Sequence, residues 1–452
     1  MKRLFLILAL IAGLCPAINA QWVSPGDGIT YTFPDLVNVS NGTVVETSAR
    51  SFTVTADLTI STNDVLVIDD QVRMIEAAGA LITIHGSMIC ENTGTDRVWI
   101  YGNESSQFSM RFENATADIK KIYFNEGAGI KLIESDVTID DSQFVFFSRE
   151  YSSGVLDVLN CNPVIQNCNF TWNEGPAVCS PANGRASVQI YNCLINSNVT
   201  TEGLNMPQIN LGPGGDDTIR IVGNEISGEN AHWFVGGVSV ADLMNTGSTK
   251  VLLKDNVIKC GRYGYNQQGF RIASVIEGNQ ILDNSREDNP MNGGSGISIN
   301  GSAVYNSAYI RNNVITGNLW GITAIYMHDI DLGTADDWGN NVITNNYNWS
   351  MAAEYDLYNN SGCAIMAIGN DWGFTDQDII ENHIVHQADD PSLGLVTYIP
   401  FIGDDGIGEV SEEANTLKDN LFYTVEGRCL GAKLPENYKG VYILNGKKYY
   451  SE

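Results

Sequence analysis

The chain has 452 residues, 43% of them apolar, with 45 Gly and 12 Pro, which is longer than one hydrophobic core usually organises. Its 53 acidic against 25 basic residues give a formal net charge of −28, a surface that repels DNA, RNA and anionic membranes. Enough apolar residues remain to bury a continuous core, so a disordered chain is excluded as well.

Lys2-Arg3, an apolar run from Leu4 to Leu14 and Ala17-Ile18-Asn19-Ala20 together read as a secretory signal cleaved after Ala20. The run is too short to span a bilayer, and Ala12-Gly13-Leu14 before Cys15 make a poor lipoprotein signal. The chain is therefore expected to be secreted or held on the outer cell surface, with the membrane involved only in export or attachment. Cys90, Cys161, Cys168, Cys179, Cys193, Cys260, Cys363 and Cys429 follow, at spacings that match neither a zinc pattern nor a disulfide framework. Cys168 and Cys193 share one repeat phase. They read as stacked core thiols, with a disulfide between them as the alternative.

Residues 21–118 alternate apolar and polar side chains in short runs: Phe52 to Thr55, Leu58 to Ile60, Val65 to Ile68 and Leu81 to Ile84. Asn63-Asp64, Asp69-Asp70 and Gly79 punctuate them, so these are short strands joined by turns. From residue 119 to 402 one phrase recurs: an Asn, then apolar residues, then a polar step. It appears at Asn167, Asn192, Asn224, Asn256, Asn279, Asn313 and Asn341, at spacings of 23 to 34 residues. Units of that size stack into a solenoid whose core grows along one axis. Val and Ile after each Asn suit a parallel strand. The Asn suits a bend, where it takes a left-handed conformation and bonds the next coil in a ladder. Segments 200–216, 284–295 and 329–340 interrupt the phrase and are expected to leave the stack as surface loops.

Two stretches carry a family resemblance. Gly79-Ala80-Leu81-Ile82-Thr83-Ile84-His85-Gly86-Ser87-Met88 resembles the segment that lays down the first coils of secreted parallel β-helix proteins. Asn370-Asp371-Trp372-Gly373, then Asp378 to Ile384, Asp389-Asp390 and a last strand ending at Pro400, is similar to the closing segment of right-handed parallel β-helix proteins. In those, large side chains such as Trp372 and Phe374 cover the open apolar end. The fold expectation is all-β: a right-handed parallel β-helix with an N-terminal β lead-in and a small C-terminal β appendage. Residues 403–417 read as an acidic linker. In the tail, 418–452, Tyr423-Thr424-Val425-Glu426-Gly427-Arg428, Gly440-Val441-Tyr442 and Lys447-Lys448 resemble a shortened sorting signal of the type IX secretion system of the Bacteroidetes.

The resemblance places the chain among secreted polysaccharide lyases, glycoside hydrolases and non-catalytic adhesins, and fold alone does not choose between them. A lyase needs a group that neutralises a uronate carboxylate and a base. The basic cluster Lys254, Lys259, Arg262 and Arg271 with Tyr263, and Arg311 nearby, is the candidate for that chemistry. A hydrolase needs two positioned carboxylates, and Asp216-Asp217 alone is thin ground. Trp320, Tyr326, Trp338 and Trp349 are candidates for stacking on sugar rings. Asp329, Asp331, Asp336 and Asp337 are candidate Ca²⁺ ligands; no other cofactor is expected. The five His residues share no metal-ligand spacing. The reading is an exported scaffold that binds a polysaccharide or cell-surface glycan without catalysis. An acidic-glycan lyase and a purely structural surface component are the alternatives.

Overall fold

The computed structural model describes residues 21–404 except Asn92, Pro290 and Met291, and then the segments 422–424, 429–431, 433–435, 438–444 and 447–451. The signal segment 1–20, most of the linker and the Gly427-Arg428 part of the sorting-like motif lie outside the described residues. Two compact units divide at Gly403.

The first unit is a right-handed parallel β-helix. Each coil lays one strand in each of three sheets, here A, B and C, before returning to sheet A. Gly236–Asp242 lies in A, Thr249–Lys254 in B and Val257–Lys259 in C, and Tyr265–Gly269 then pairs in parallel with the first of them. Among the described residues, sheets A and B hold 14 strands each and sheet C holds 13. The sheets run unbroken across residue 118: Trp22–Val23, Thr30–Thr32 and Val44–Ser48 already belong to them. Segment 200–216 does not simply leave the stack as expected. Pro207–Leu211 is a sheet A strand, and the surface loop ends before it. Likewise His328–Asp331 is a sheet B strand, so the third interruption starts at Leu332.

The core is made of single-residue columns. Ile226, Ile258, Ile281, Ile315 and Ile343 sit in register down sheet C, all fully buried. Earlier in the same sheet Phe124, Phe144 and Phe170 stack at 4.9 and 4.5 Å. Each such side chain contributes about 1.5–3 kcal/mol by leaving water. Helix α1, Phe33–Val39, starts from a capping box between Thr32 and Asp35 and buries Phe33 and Leu36 at the N-terminal end. At the other end Trp372 is fully buried and meets Tyr398 edge-on at 6.4 Å, beside helix α2, Gln377–Asn382.

The B-to-C corner splits between two residues the work that the sequence reading gave to one Asn. Gly223, Asp255, Gly278, Asn312 and Asn340 take the left-handed conformation. The next residues, Asn224, Asn256, Asn279, Asn313 and Asn341, are buried and form the ladder. Each donates from Nδ2 to the Oδ1 of the Asn one coil on, at 2.8–3.0 Å, ending on Asn370. In earlier coils Asn167 and Asn192 are the left-handed residues, and Cys168 and Cys193 occupy the ladder position as free thiols. The alternative of a disulfide between them therefore falls. A second ladder, Asn284, Asn318 and Asn346, runs down the C-to-A corner.

Among the described residues of the second unit, Phe422–Thr424, Cys429–Gly431, Gly440–Leu444 and Lys447–Ser451 form a four-stranded antiparallel sheet.

Candidate functional site

Period-two alternation along sheet A sends every second side chain outward, and the parallel register stacks those side chains in a file. From the N-terminal end the file runs Thr83, Arg111, Lys131, Asp157, Cys179, Asn210, Ser239, Asn266, Ser298, Thr323 and Tyr358. Gln268 and Asn300 lie two residues further along their strands. Because successive parallel strands stand about 4.8 Å apart, the file makes a continuous polar floor.

Loops of the C-to-A side rise over this floor and leave two cavities. One, of about 390 Å³, is lined by Asn205, Phe234, Arg262, Tyr263, Asn266, Gln268, Glu287, Asn292, Ser298 and Asn300. Arg262 is at its base, 8% exposed, with its guanidinium 5.0 Å from the Tyr263 ring centre and its Nε buried without a hydrogen-bond partner. The backbone holds it there: Arg262 N–H donates to Val235 O at 2.7 Å, and its carbonyl accepts from Gly294 N–H at 2.6 Å. Gly294 needs its left-handed φ of +79°, and a Cβ there would lie 1.8 Å from Glu287 O. Tyr263 is buried over Gly236, where any Cβ would strike its ring, and burial raises its hydroxyl pKa above the usual value. The second cavity, also about 390 Å³, is lined by Arg111, Lys131, Asp157, Ser180, Met206 and Asn210, among others. There Arg111 makes a bidentate pair with Glu113 at 2.9 and 3.0 Å, and Lys131 Nζ lies 4.3 Å from the Tyr151 ring centre.

The basic residues singled out from the sequence do not converge. Lys254 points out from sheet B and pairs with Glu277 at 3.2 Å, while Lys259 points out from sheet C and pairs with Glu225 at 2.8 Å. Arg271 sits at the A-to-B corner and bonds Asn245. Arg311 is buried at 2% exposure and bonds Asp331 and Asp337, each at 2.8 Å. Only Arg262 and Tyr263 share a cavity. Residues adjacent in sequence were spread over three faces because each coil turns through three sheets.

The proposed stacking aromatics divide in the same way. Trp320 is 1% exposed, packed on Tyr355 and Tyr358 at 4.7 and 5.1 Å. It closes the C-terminal end of the floor and presents no face to a sugar. Tyr326, Trp338 and Trp349 are exposed; Tyr326 stands at the A-to-B corner and Trp338 in the B-to-C connection, whereas Trp349 is carried on the C-to-A connection. Tyr326 borders a separate cavity of about 880 Å³ at the A-to-B corner, with Tyr305, His328, Asp329 and Asn360.

Of the candidate Ca²⁺ ligands, Asp331 and Asp337 are engaged by Arg311, whereas Asp329 and Asp336 are exposed and join no metal-ligand cluster among the described residues. A different trio gathers: Glu354, Asp356 and His383 bring one donor atom each within 4.8 Å of the others. Asp356 is fully buried at the end of the second ladder. Its Oδ1 accepts from Asn346 Nδ2 at 2.8 Å and its Oδ2 lies 3.1 Å from His383 Nδ1. Burial raises the Asp356 pKa, and the hydrogen bond from His383 to Asp356 raises that of His383. The sequence spacing of 27 residues between Asp356 and His383 concealed the pair, since one coil separates them.

A family model described only as a protein of unknown function, DUF1565, matches residues 246–377. No curated protein matches the chain. Among solved structures, the periplasmic alginate epimerase AlgG is similar at 14% identity, with a TM-score of 0.48, over 82% of this chain and 83% of that one. A mannuronic acid specific polysaccharide family 6 lyase from human gut microbiota is similar at 14% identity, with a TM-score of 0.34, over 85% and 88%. Likeness at this level does not extend to activity.

Proposed function

We propose that the protein binds a glycan chain lengthwise on the outer face of sheet A and does not cleave it. The carrying observation is the uncharged polar run Asn210, Ser239, Asn266, Gln268, Ser298 and Asn300, which offers amide and hydroxyl partners to a chain of sugar hydroxyls. Charge selects among glycans. With a net charge of −28, Arg111 paired to Glu113, and Asp157 and Glu287 lining the cavities that hold Lys131 and Arg262, the floor favours a hydroxyl-rich or sparsely charged chain over a dense polyanion. Arg262 lines the cavity, and its guanidinium is suited to anchor one group of that chain. Export to the cell surface, with a glycan there as partner, completes the reading and rests on the N-terminal signal pattern.

The Arg262–Tyr263 pair is the one observation that favours a lyase. The buried Tyr263, with its pKa raised, is poorly disposed to act as a base near neutral pH. Affinity electrophoresis of the full chain through gels holding xylan, mannan, dextran or polygalacturonate tests the proposal. Retardation by a neutral glycan, weakened tenfold or more by Arg262→Ala and severalfold by Gln268→Ala, is expected. No retardation by any of them, or an ultraviolet-absorbing unsaturated product from polygalacturonate, overturns it.

A further inference from the structure

We propose that Glu354, Asp356 and His383 form a binding site for a divalent transition metal of the Zn²⁺ class, at the C-terminal end of the coil. The donor geometry is the first argument. His383 Nδ1 lies 3.1 Å from Asp356 Oδ2 and 3.4 Å from Glu354 Oε2. Three donors bound at the usual 2.0–2.2 Å around a tetrahedral Zn²⁺ stand about 3.3–3.6 Å apart. Both spacings from His383 Nδ1 therefore fit one coordination polyhedron, and the two carboxylate donors lie within 4.8 Å of each other.

Unfinished hydrogen bonding is the second argument. Nδ1 has one proton to give, and Asp356 is the nearer acceptor. Glu354 Oε2 is buried and has no hydrogen-bond partner. Two carboxylates thus face one imidazole where Asp356 is wholly out of water. A buried carboxylate oxygen without a hydrogen-bond partner, as Glu354 Oε2 is, is costly, and a divalent cation between the three donors satisfies it.

The surroundings are built to hold the donors still. Asn346, last of its ladder, fixes Asp356 Oδ1 and so turns Oδ2 toward His383, the kind of support from outside the ligand set that metal carboxylates commonly have. The backbone N–H of Asp356 donates to His383 O at 2.9 Å, tying the two coils together. Glu354 comes from the antiparallel pair Tyr347–Asn348 and Ala353–Glu354, and its side chain is 32% exposed. That leaves a path for the ion and an open fourth position. One nitrogen and two carboxylate donors suit Zn²⁺ or a similar ion, whereas Ca²⁺ requires six to eight oxygens. Bound there, the metal would pin the hairpin to the capping segment that ends the solenoid.

Untagged full-length protein, stripped with a chelator, is titrated with Zn²⁺ by calorimetry and with Co²⁺ by visible absorption, and the melting temperature is read with and without Zn²⁺. One ion per chain, a micromolar or tighter Kd and a raised melting temperature are expected. Glu354→Gln keeps the volume and removes one charged ligand at a part-exposed position. It is expected to weaken Zn²⁺ binding tenfold or more while circular dichroism stays unchanged. Absence of Zn²⁺ binding, binding of Ca²⁺ in its place, or a Glu354→Gln variant that binds as tightly as the wild type overturns the assignment.

Discussion

Replacing Asn279 by Ala tests whether the ladder holds the coils together. Asn279 is fully buried. Its Oδ1 accepts from Asn256 N–H at 3.0 Å and from Asn256 Nδ2 at 2.9 Å; its Nδ2 donates to Leu253 O at 2.9 Å, Glu277 O at 3.1 Å and Asn313 Oδ1 at 2.9 Å. Ala removes all five bonds. Some partners keep a second bond: Asn256 Nδ2 still reaches Ile221 O, and Asn313 Oδ1 still accepts from the backbone N–H of residue 279. Glu277 O also keeps the bond from Asp255 N–H, so one or two groups are left without one, above all Asn256 N–H. At about 1–3 kcal/mol for each buried unsatisfied group, the loss is about 2–4 kcal/mol. For a chain of this size, with unfolding entropy near 2.1 cal/mol/K per residue, that is about 2–4 °C in melting temperature. Asn266→Ala, on the outer face with one bond to Ser239 at 3.0 Å, serves as the control and is expected to shift it by about 1 °C or less. Asn279→Asp keeps the acceptors but faces three carbonyl oxygens with a buried carboxylate. Its pKa is expected to rise, so its deficit is present above the ordinary carboxylate pKa and shrinks as the pH falls. Calorimetry of the three variants decides the matter: an Asn279→Ala shift no larger than that of Asn266→Ala refutes the ladder as a stabilising element.

Other consequences are as direct. His328 is 1% exposed, and burial lowers its pKa despite the hydrogen bond with Asn359 and the nearby charge of Asp329, which act the other way. Since its folded pKa lies below the unfolded value near 6.5, it stabilises the fold fully above that value and loses the contribution as the pH falls. His328→Asn is expected to flatten the stability loss between pH 7 and 5, by up to about 1.4 kcal/mol per pH unit, read from urea midpoints. Arg311→Ala is expected to cost about 2–4 kcal/mol, because a buried guanidinium and its bonds to Asp331 and Asp337 are lost. Asp337→Asn, with its carboxylate 54% exposed, is expected to cost less than about 1 kcal/mol; equal losses would show that the pair is no more than a surface bridge. The buried thiols of Cys90, whose pKa is pushed up to about 12 by burial, and of Cys168, Cys179 and Cys193 should resist a thiol-specific colour reagent until the protein unfolds. Reaction of any of them in native protein at the rate of the half-buried Cys363 would contradict the packing.

The architecture was legible because it is periodic. Stacked identical turns demand the same residue types at the same corner, so the Asn phrase and its Val or Ile neighbours announced a solenoid, and the Trp372 segment announced its end. The division of labour at each corner was harder to see. Asn, Asp and Gly all tolerate left-handed backbone, so sequence could not tell Asp255, which turns the chain, from Asn256, which bonds the next coil. The site was scarcely legible. Lys254, Lys259, Arg262 and Arg271 are close in sequence, yet one coil is long enough to visit three faces, and only Arg262 with Tyr263 entered a cavity. Conversely, Asn210, Asn266, Ser298, Asp356 and His383 carried no local signal, because their neighbours lie one coil away at irregular distances of 25 to 32 residues. Local chemistry determined that the chain coils and how each coil turns. Register between coils, set by loops of unequal length, decided which side chains share a face, and that is a property of the folded stack alone.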